Sequence, residues 1–241
     1  MSEMKAHSPF SRTAALLGDE AIQRLHKARV AVFGVGGVGG YAVEALVRSG
    51  VGTVDVFDKD DVSLTNLNRQ IIALHSTVGQ DKVSVIAQRM RDINPDVVIN
   101  EHKMFYLPEN ADETDLTVYD FVVDAVDTVA AKIELAVRCE RLGVPLIAAM
   151  GAGNKLDPSK LLISDIYKTS VCPLARAMRT TLRKKGVKRL TVAYSTEEPV
   201  RPVEAIDNEG RRKDVPGSAA FVPSAMGLLI ASHVVRKLTG H

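Results

Sequence analysis

A glycine-rich segment near the amino end of the chain has the composition of a phosphate-binding turn. Gly34, Gly36 and Gly39 follow the apolar run Val30 to Phe33 with the spacing G-x-G-x-x-G, and Gly37 lies between them. A glycine has no Cβ, so the backbone there can turn sharply and touch a phosphate, while the following helix offers free N–H groups to an anion. The segment predicts a nucleotide site. Taken alone, it fits an NAD-binding unit as well as an ATP-binding one.

An acidic residue follows this turn at the distance expected of a ribose ligand. Asp58 lies 19 residues beyond Gly39, at the end of the next apolar run, and Asp60 comes two residues later. A carboxylate at this position can accept hydrogen bonds from ribose hydroxyls. The pair supports a nucleotide site without choosing the nucleotide.

A polar cluster one strand–helix unit later favours a nucleoside triphosphate. Arg69 carries a planar guanidinium suited to bidentate phosphate contact, and Asn66 and Gln70 can donate amide N–H groups beside it. Lys82 follows at the start of the next predicted helix. A helix N-terminus stabilises an exposed anion by only about 0.3–1 kcal/mol, so side-chain cations are needed to hold a triphosphate. The cluster therefore indicates cleavage between the α and β phosphates.

Two further carboxylates belong to another predicted strand. Asp124 lies at its end and Asp127 just beyond it, at the carboxyl edge where open α/β sheets bind ligands. Mg²⁺ usually takes one or two protein carboxylates together with phosphate oxygens. Each of these charged residues alone is better explained as a solvated surface group. Their convergence on one sheet edge favours a site for ATP and Mg²⁺.

Alternating apolar segments predict an α/β fold with a doubly wound, mainly parallel sheet. The first part of the chain predicts strands at 29–34, 53–57, 97–100, 121–124 and 145–149, and helices at 19–27, 38–49, 81–93 and 129–142, with a helical turn at 66–70. The rest predicts strands at 161–166 and 190–194, a helix from Pro173, and a last helix at 224–238. Residues 197–217 are rich in proline and charge, so a mobile loop is expected there.

The composition excludes several classes of protein. The formal net charge is only +2, so attraction to nucleic acid requires a local patch. The two cysteines, Cys139 and Cys172, cannot form a four-cysteine zinc site, and the six histidines form no metal-binding pattern. The amino end lacks the apolar core of a signal peptide, and the apolar stretch 226–235 is too short to span a bilayer. We expect a cytoplasmic enzyme with no membrane partner.

The predicted helix from Pro173 carries a basic stripe. At about 100° per residue its apolar and basic residues fall on opposite sides: Leu174, Met178 and Leu182 against Arg176, Arg179 and Arg183. No acid occurs between Arg176 and Arg189. Such a stripe can bind nucleic-acid phosphates with salt-sensitive affinity, and a solvated helix face is an equally good interpretation.

The glycine turn, the acidic residues and the polar cluster together resemble the HesA/MoeB/ThiF family, the adenylating domains related to ubiquitin-activating enzymes. The matching segments are 34–39, 58–60, 66–70, 79–82 and 124–127. The resemblance implies that Asp58 holds the ribose of ATP and that Asp127 ligates Mg²⁺. It implies that the triphosphate is held by Asn66, Arg69 and Lys82. It also implies a homodimer in which Arg12 reaches the partner subunit's ATP site.

The same resemblance implies a Rossmann-like fold in one adenylating domain, 1–241. Residues 8–151 would form the nucleotide-binding core. Residues 152–241 would supply a crossover loop, a substrate-side region and a C-terminal helix, completing the sheet and the dimer.

Segments after Gly151 resemble the branch of the family formed by the tRNA threonylcarbamoyladenosine dehydratases. They are 153–155, 157–158, 165–169, 173–175 and 194–197. The paired C-x-x-C motifs of many sulfur-carrier-activating members are absent from the sequence. This branch implies adenylation of the threonylcarbamoyl carboxylate on a tRNA adenosine, ring closure by a nitrogen of the same group, and release of AMP.

Three other functions remain open at this point. Activation of a ubiquitin-like or sulfur-carrier protein would use Cys172 as a nucleophile near basic residues, or a persulfide from a cysteine desulfurase or sulfur-acceptor partner. Ring closure within one substrate needs no cysteine. Asn66, Arg69 and Lys82 argue against an NAD-dependent oxidoreductase, and the intact polar set argues against a catalytically silent scaffold.

Overall fold

The computed structural model describes residues 8–200, 203–206 and 212–241. The strands are β1 (Arg29–Phe33), β2 (Thr53–Phe57), β3 (Val98–His102), β4 (Phe121–Asp124), β5 (Leu146–Ala149), β6 (Leu161–Asp165), β7 (Thr191–Ser195), β8 (Val203–Ile206) and β9 (Arg212–Val215). The α-helices are α1 (Ser11–Leu17), α2 (Asp19–Lys27), α3 (Gly39–Ser49), α4 (Lys82–Ile93), α5 (Val129–Leu142), α6 (Pro173–Lys184) and α7 (Phe221–Thr239).

Seven strands form one mostly parallel sheet in the order β3-β2-β1-β4-β5-β7-β6. Only β6 runs against its neighbour, from Leu161 opposite Ser195 to Asp165 opposite Thr191. The strand order reverses at β1, between β2 and β4, and ligands of doubly wound sheets bind at the carboxyl ends of the strands at such a point. The predicted fold class is confirmed.

Helices cover both faces of the sheet because strand side chains alternate between them. Val30 and Val32 of β1 belong to the core beneath α2, α3, α4 and α7. Ala31 and Phe33 point the other way and pack beneath α5. A third apolar cluster packs α6 against β5 and β7. Every central strand is therefore buried on both faces, which explains its nearly continuous apolar sequence.

Several boundaries differ from the sequence-based predictions. A helical turn at 66–70 is wrong in position: the turn covers Leu64–Asn66, because the Ser63 N–H donates to Asn66 Oδ1 at 3.1 Å and closes a capping box. The expected loop at 197–217 contains the antiparallel pair β8 and β9, and its residues 201, 202 and 207–211 lie outside the described part of the chain. Helix α1 was not predicted.

The final helix α7 is longer than predicted and packs closely on α3. A Cβ built on Gly227 would lie 2.3 Å from the Val38 carbonyl oxygen, so only glycine permits this approach. With 19 residues and a mean hydropathy of 1.2, α7 has the length and composition of a membrane span, contrary to the expectation for 226–235. Its residues Met226, Ile230 and Val234 are nevertheless buried in the main core, as in a core helix.

Candidate active site

A cavity of about 340 Å³ opens at the carboxyl ends of β1, β2 and β4. Nearly all of the residues predicted to bind the nucleotide line it: Gly34, Gly36, Gly37, Asp58, Asp60, Asn66, Arg69, Gln70, Lys82 and Asp127. Its size falls in the range of small-molecule sites. The fold therefore brings the separate sequence motifs into one place.

The glycine turn is held rigidly between β1 and α3. Gly34 has φ +85°, and its N–H donates to the Phe57 carbonyl oxygen at 2.7 Å. A Cβ on Gly39 would lie 1.8 Å from the Gly34 carbonyl oxygen. Gly39 thus lies under the turn and not in the cavity lining. Its role is to let the start of α3 fold back against the strand so that its N–H groups face the cavity.

The Asp58 carboxylate accepts hydrogen bonds from two backbone N–H groups. Its Oδ2 accepts from the Val35 N–H at 2.9 Å, and its Oδ1 accepts from the Asp60 N–H at 2.9 Å. The carboxylate therefore joins the glycine turn to the end of β2. Lone pairs remain on both oxygens for ribose hydroxyls.

Lys82, the first residue of α4, places a cation inside the cavity. Its side chain is 7% exposed, and Nζ lies 3.1 Å from Asp60 Oδ2 and 3.9 Å from Asp58 Oδ1. The two carboxylates hold the ammonium group in position. Its remaining donor capacity can serve a phosphate oxygen.

Three polar residues after β2 form a wall beside the glycine turn. The half-buried Arg69 donates from Nη1 to the Thr65 carbonyl oxygen and to Asn68 Oδ1, both at 2.9 Å, and its Cγ lies 3.4 Å from the Cβ position of Gly37. Asn66 and Gln70 are buried. Gln70 Oε1 has no hydrogen-bond partner among the described residues. The wall is thus lined with polar groups close to the turn that would hold the phosphates.

Asp124 and Asp127 have different environments, although the sequence placed both at the site. Asp124 is fully buried; its Oδ1 accepts from Lys132 Nζ at 2.9 Å and from the Val126 N–H at 3.2 Å. Lys132 Nζ also donates to the Val126 carbonyl oxygen at 3.2 Å. Burial raises the pKa of Asp124, and the attraction of Lys132 opposes the rise. Asp124 is therefore not available as a metal ligand, and the pair fixes the loop that leads to Asp127.

Asp127 fits a magnesium site that is completed by phosphate oxygens. Its carboxylate is exposed and borders the cavity. The described residues contain no cluster of three or more His, Cys, Asp or Glu side chains suited to a metal. A single carboxylate facing a triphosphate site is nevertheless the donor set that Mg²⁺ commonly uses.

Sequence reasoning missed an aromatic wall on the side of β3. Phe33 and Phe57 stack at 4.2 Å, and His102 stacks on the other side of Phe57 at 4.2 Å. Tyr106 meets Phe33 edge-on at 4.9 Å. Burial raises the pKa of Tyr106. The run Met104 to Tyr106 follows a strand end directly, and that position was the available signal. A flat apolar wall of this kind suits a purine ring.

The remaining predicted site residues lie outside the cavity. Arg12 is exposed on α1 and is not among the described residues that line it. Cys172 is 1% exposed and packs in the core beneath α6, which disfavours a nucleophilic role. Arg179 donates to Thr169, at 3.0 Å to its carbonyl oxygen and also to its hydroxyl. It therefore stabilises the loop before Cys172.

The other two arginines of the basic stripe are exposed. Arg176 lies at the solvent-facing side of α6, and Arg183 stacks over the Tyr167 ring at 5.3 Å. The apolar side predicted for this helix is confirmed at Met178 and Leu182, which are fully buried.

Comparisons with known proteins agree on one family. The ThiF family matches residues 10–241. The chain is 45% identical over 238 residues to the tRNA threonylcarbamoyladenosine dehydratase of Bacillus subtilis, covering 95% of this chain and 94% of that protein. It is similar to the Escherichia coli tRNA N6-threonylcarbamoyladenosine dehydratase solved with AMP, with a TM-score of 0.88 and 36% identity over 96% of this chain and 94% of that one. The same enzyme solved with ATP gives a TM-score of 0.87 and 35% identity over the same shares.

Proposed function

The chain belongs to the ThiF family, and we propose that it is an ATP-dependent tRNA threonylcarbamoyladenosine dehydratase. The observation that carries this proposal is the convergence of Asp58, Arg69, Lys82 and the glycine turn on one cavity, in a chain that matches dehydratases along nearly its whole length. The structures of the E. coli relative with ATP and AMP agree with an adenylating reaction.

The proposed reaction has two steps on one substrate. A carboxylate oxygen of the threonylcarbamoyl group attacks the α-phosphorus of ATP, and pyrophosphate leaves with the electrons of the broken P–O bond. A nitrogen of the same group then attacks the activated carbonyl carbon, loses its proton, and AMP leaves. The net change is the loss of one water from the modified nucleoside. No step uses sulfur, so a cysteine desulfurase or sulfur-acceptor partner belongs only to the carrier-protein alternative.

The cavity residues have distinct roles in this reaction. The glycine turn binds phosphate through backbone N–H groups, and Asp58 orients the ribose. Arg69 and Lys82 stabilise the negative charge that grows on the departing pyrophosphate, the largest contribution that a protein makes to phosphoryl chemistry. Asp127 would hold a Mg²⁺ ion, which would neutralise phosphate charge there.

Mass spectrometry of tRNA nucleosides tests the proposal. Threonylcarbamoyl-tRNA incubated with the protein, ATP and Mg²⁺ should yield a threonylcarbamoyladenosine lighter by one water. Arg69→Ala should lower the rate about a hundredfold or more. Arg48→Ala is the matched control, because Arg48 is an exposed arginine on α3 that pairs with Glu44 outside the cavity. An unchanged nucleoside with ATP-binding wild-type protein would exclude the tRNA reaction and favour activation of a carrier protein.

A homodimer with shared sites completes the proposal. Arg12 is exposed outside the cavity of its own subunit, which agrees with a role in the partner's site. Mixing Arg12→Ala with Arg69→Ala subunits should restore about a quarter of wild-type activity, because half of the dimers are mixed and each carries one complete site. Mixtures as inactive as the single variants would refute the sharing of sites.

The location and domain organisation follow from the same assignment. We propose that one ThiF-type domain spans residues 1–241, supported by the family match to 10–241, and that it acts in the cytoplasm on tRNA. The packing of α7 in the protein core agrees with a protein that acts without a membrane partner.

A further inference from the structure

Helix α6 extends along one face of the molecule, from the carboxyl edge of the sheet, where the parallel strands end, to the amino edge, where they begin. The N-cap residue of α6, Cys172, has its Sγ 3.9 Å from the Cβ position of Gly151. Ala152, which follows Gly151 in the sequence, lines the nucleotide cavity. The helix ends at Lys184, from which a short turn leads to β7 at the amino edge. Twelve residues of α-helix extend about 18 Å. The exposed cations of α6 therefore run from the nucleotide cavity towards the opposite edge.

A second, larger cavity lies at that amino edge, beneath the first residues of β4, β5 and β7. Its volume is about 680 Å³. We call it the basic groove; its lining includes Phe121, Leu146, Lys188, Arg189, His233 and Lys237. Leu146 and Phe121 belong to the sheet that forms its floor, while Lys188 and Arg189 come from the turn after α6 and Lys237 from the last turn of α7.

The positive charges of the basic groove are not balanced within the described part of the chain. Lys188, Arg189 and Lys237 are exposed, and none of them takes part in an ion pair between described residues. Glu140 is the acid of the groove lining, and its Oε1 accepts from the Lys188 backbone N–H at 3.3 Å.

Nearby charges support the same conclusion. The pKa of His233 is lowered by burial and by the positive charges of Lys237 and Arg236. An unbalanced group of cations around a groove attracts a polyanion, since binding releases condensed counterions.

We propose that the basic groove binds the phosphodiester backbone of the tRNA, with the exposed cations of α6 as the connecting track. This inference rests on the proposed function, because it takes the tRNA as the ligand and places the modified adenosine at the nucleotide cavity. The track consists of Arg176, Arg183 and Lys184; Arg179 is excluded by its hydrogen bonds to Thr169. The groove contributes affinity for tRNA without touching the reacting groups.

The decisive variant is Lys188→Gln/Lys237→Gln, compared with the wild type in tRNA binding and in steady-state kinetics. Both side chains are exposed, so the fold should be unaffected. The KM for threonylcarbamoyl-tRNA should rise on the order of tenfold while kcat and ATP affinity stay unchanged. The slope of log affinity against log salt should become shallower by about 1 for each lysine removed. Lys188→Arg/Lys237→Arg should keep most of the affinity, since it retains both charges.

The control variant, Arg48→Gln/Arg91→Gln, removes the same number of charges from α3 and α4, at positions that line neither the nucleotide cavity nor the basic groove. It should leave the KM for tRNA and the salt slope as in the wild type. If the wild type dehydrates the tRNA but Lys188→Gln/Lys237→Gln keeps its KM and salt slope, the inference is wrong although the proposed function stands. Equal weakening by both double variants would also overturn it, because the effect would then come from net charge. Failure of the wild type itself to act on the tRNA would instead reject the proposed function.

Discussion

Replacing Lys132 with methionine tests the coupling between the buried ion pair and the nucleotide site. Lys132 and Asp124 are both completely buried and lie 2.9 Å apart. Methionine has a similar length and no charge, so the variant leaves a carboxylate in the core without its partner. Removing one member of a buried pair typically costs about 3–5 kcal/mol. The hydrogen bond to the Val126 carbonyl oxygen is lost as well, at about 1 kcal/mol.

The pH dependence of this loss has a definite sign. Burial already raises the pKa of Asp124, and without Lys132 the folded state favours the protonated carboxyl more strongly. The folded variant then binds more protons than the unfolded chain, so its stability decreases as pH rises. The difference in the free energy of unfolding between wild type and variant should therefore be larger at about pH 7.5 than at about pH 5.5.

The double variant Asp124→Asn/Lys132→Met separates charge from packing. It contains no unpaired charge, and neutral replacements of buried pairs are often tolerated, so it should recover most of the lost stability. Urea unfolding at the two pH values measures this. The coupling argument is refuted if Lys132→Met loses less than about 1 kcal/mol, or if the double variant is as unstable as the single one.

The same variants report on the loop that carries Asp127. The Asp124 carboxylate and the Lys132 ammonium group bond the N–H and carbonyl groups of Val126, the residue before Asp127. The double variant should therefore bind ATP normally without Mg²⁺ but gain less affinity than the wild type when Mg²⁺ is added. Calorimetry with and without the ion measures the difference. An unchanged gain would show that the pair stabilises the core only.

Three further predictions follow from the geometry. Gly39→Ala should destabilise the protein by about 3 kcal/mol or more and abolish ATP binding, because its Cβ would lie 1.8 Å from a carbonyl oxygen. Gly40→Ala should be tolerated, because its Cβ would have its nearest contact at 3.3 Å. Thermal melts with and without ATP compare the two variants. Burial raises the pKa of Asp55, but hydrogen bonds, that of Arg29 first, lower it overall. Arg29→Met should therefore destabilise the protein by about 2–4 kcal/mol near pH 7. Acid unfolding sets in as the pH falls through the pKa of Asp55 in the folded protein, so it should begin at a higher pH in this variant. Urea midpoints across the acid range measure the change. Cys172→Ala should keep kcat within about twofold of the wild type, because the thiol is buried and ring closure needs no nucleophilic cysteine; a hundredfold loss would support thioester chemistry.

The sequence predicts the nucleotide half of the molecule well because local signals coincide there with the fold. The bounds of β2, β4 and α5 match the structure residue for residue, since each is an apolar period flanked by glycine, proline or polar breaks. The cavity residues could be named because the ends of parallel strands converge whatever their side chains. For this reason, residues that follow different strands in the sequence can be predicted to lie close together in space.

Other features depend on tertiary contacts that no local pattern encodes. Asp124 and Asp127 look alike in the sequence, and only the fold shows that one is buried beside Lys132 while the other borders the cavity. Likewise, helical periodicity placed Arg179 on the basic side of α6, yet its hydrogen bonds to Thr169 depend on the path of a loop. The strands β8 and β9 lie within the charged, proline-containing stretch 197–217, which composition alone favours as a loop.

The place of α7 in the nucleotide site bears on how the protein is made. Pro223 in its first turn and Ser218 just before it line the cavity beside the glycine turn, and Gly227 brings the helix against the start of α3. The most carboxyl-terminal helix of the chain therefore completes a site whose other walls are synthesised early. A nascent chain on the ribosome would carry the phosphate-binding motifs long before it could enclose a nucleotide. A chain truncated before Ser218 would lack this part of the cavity wall, so we expect it to bind ATP more weakly than the full chain.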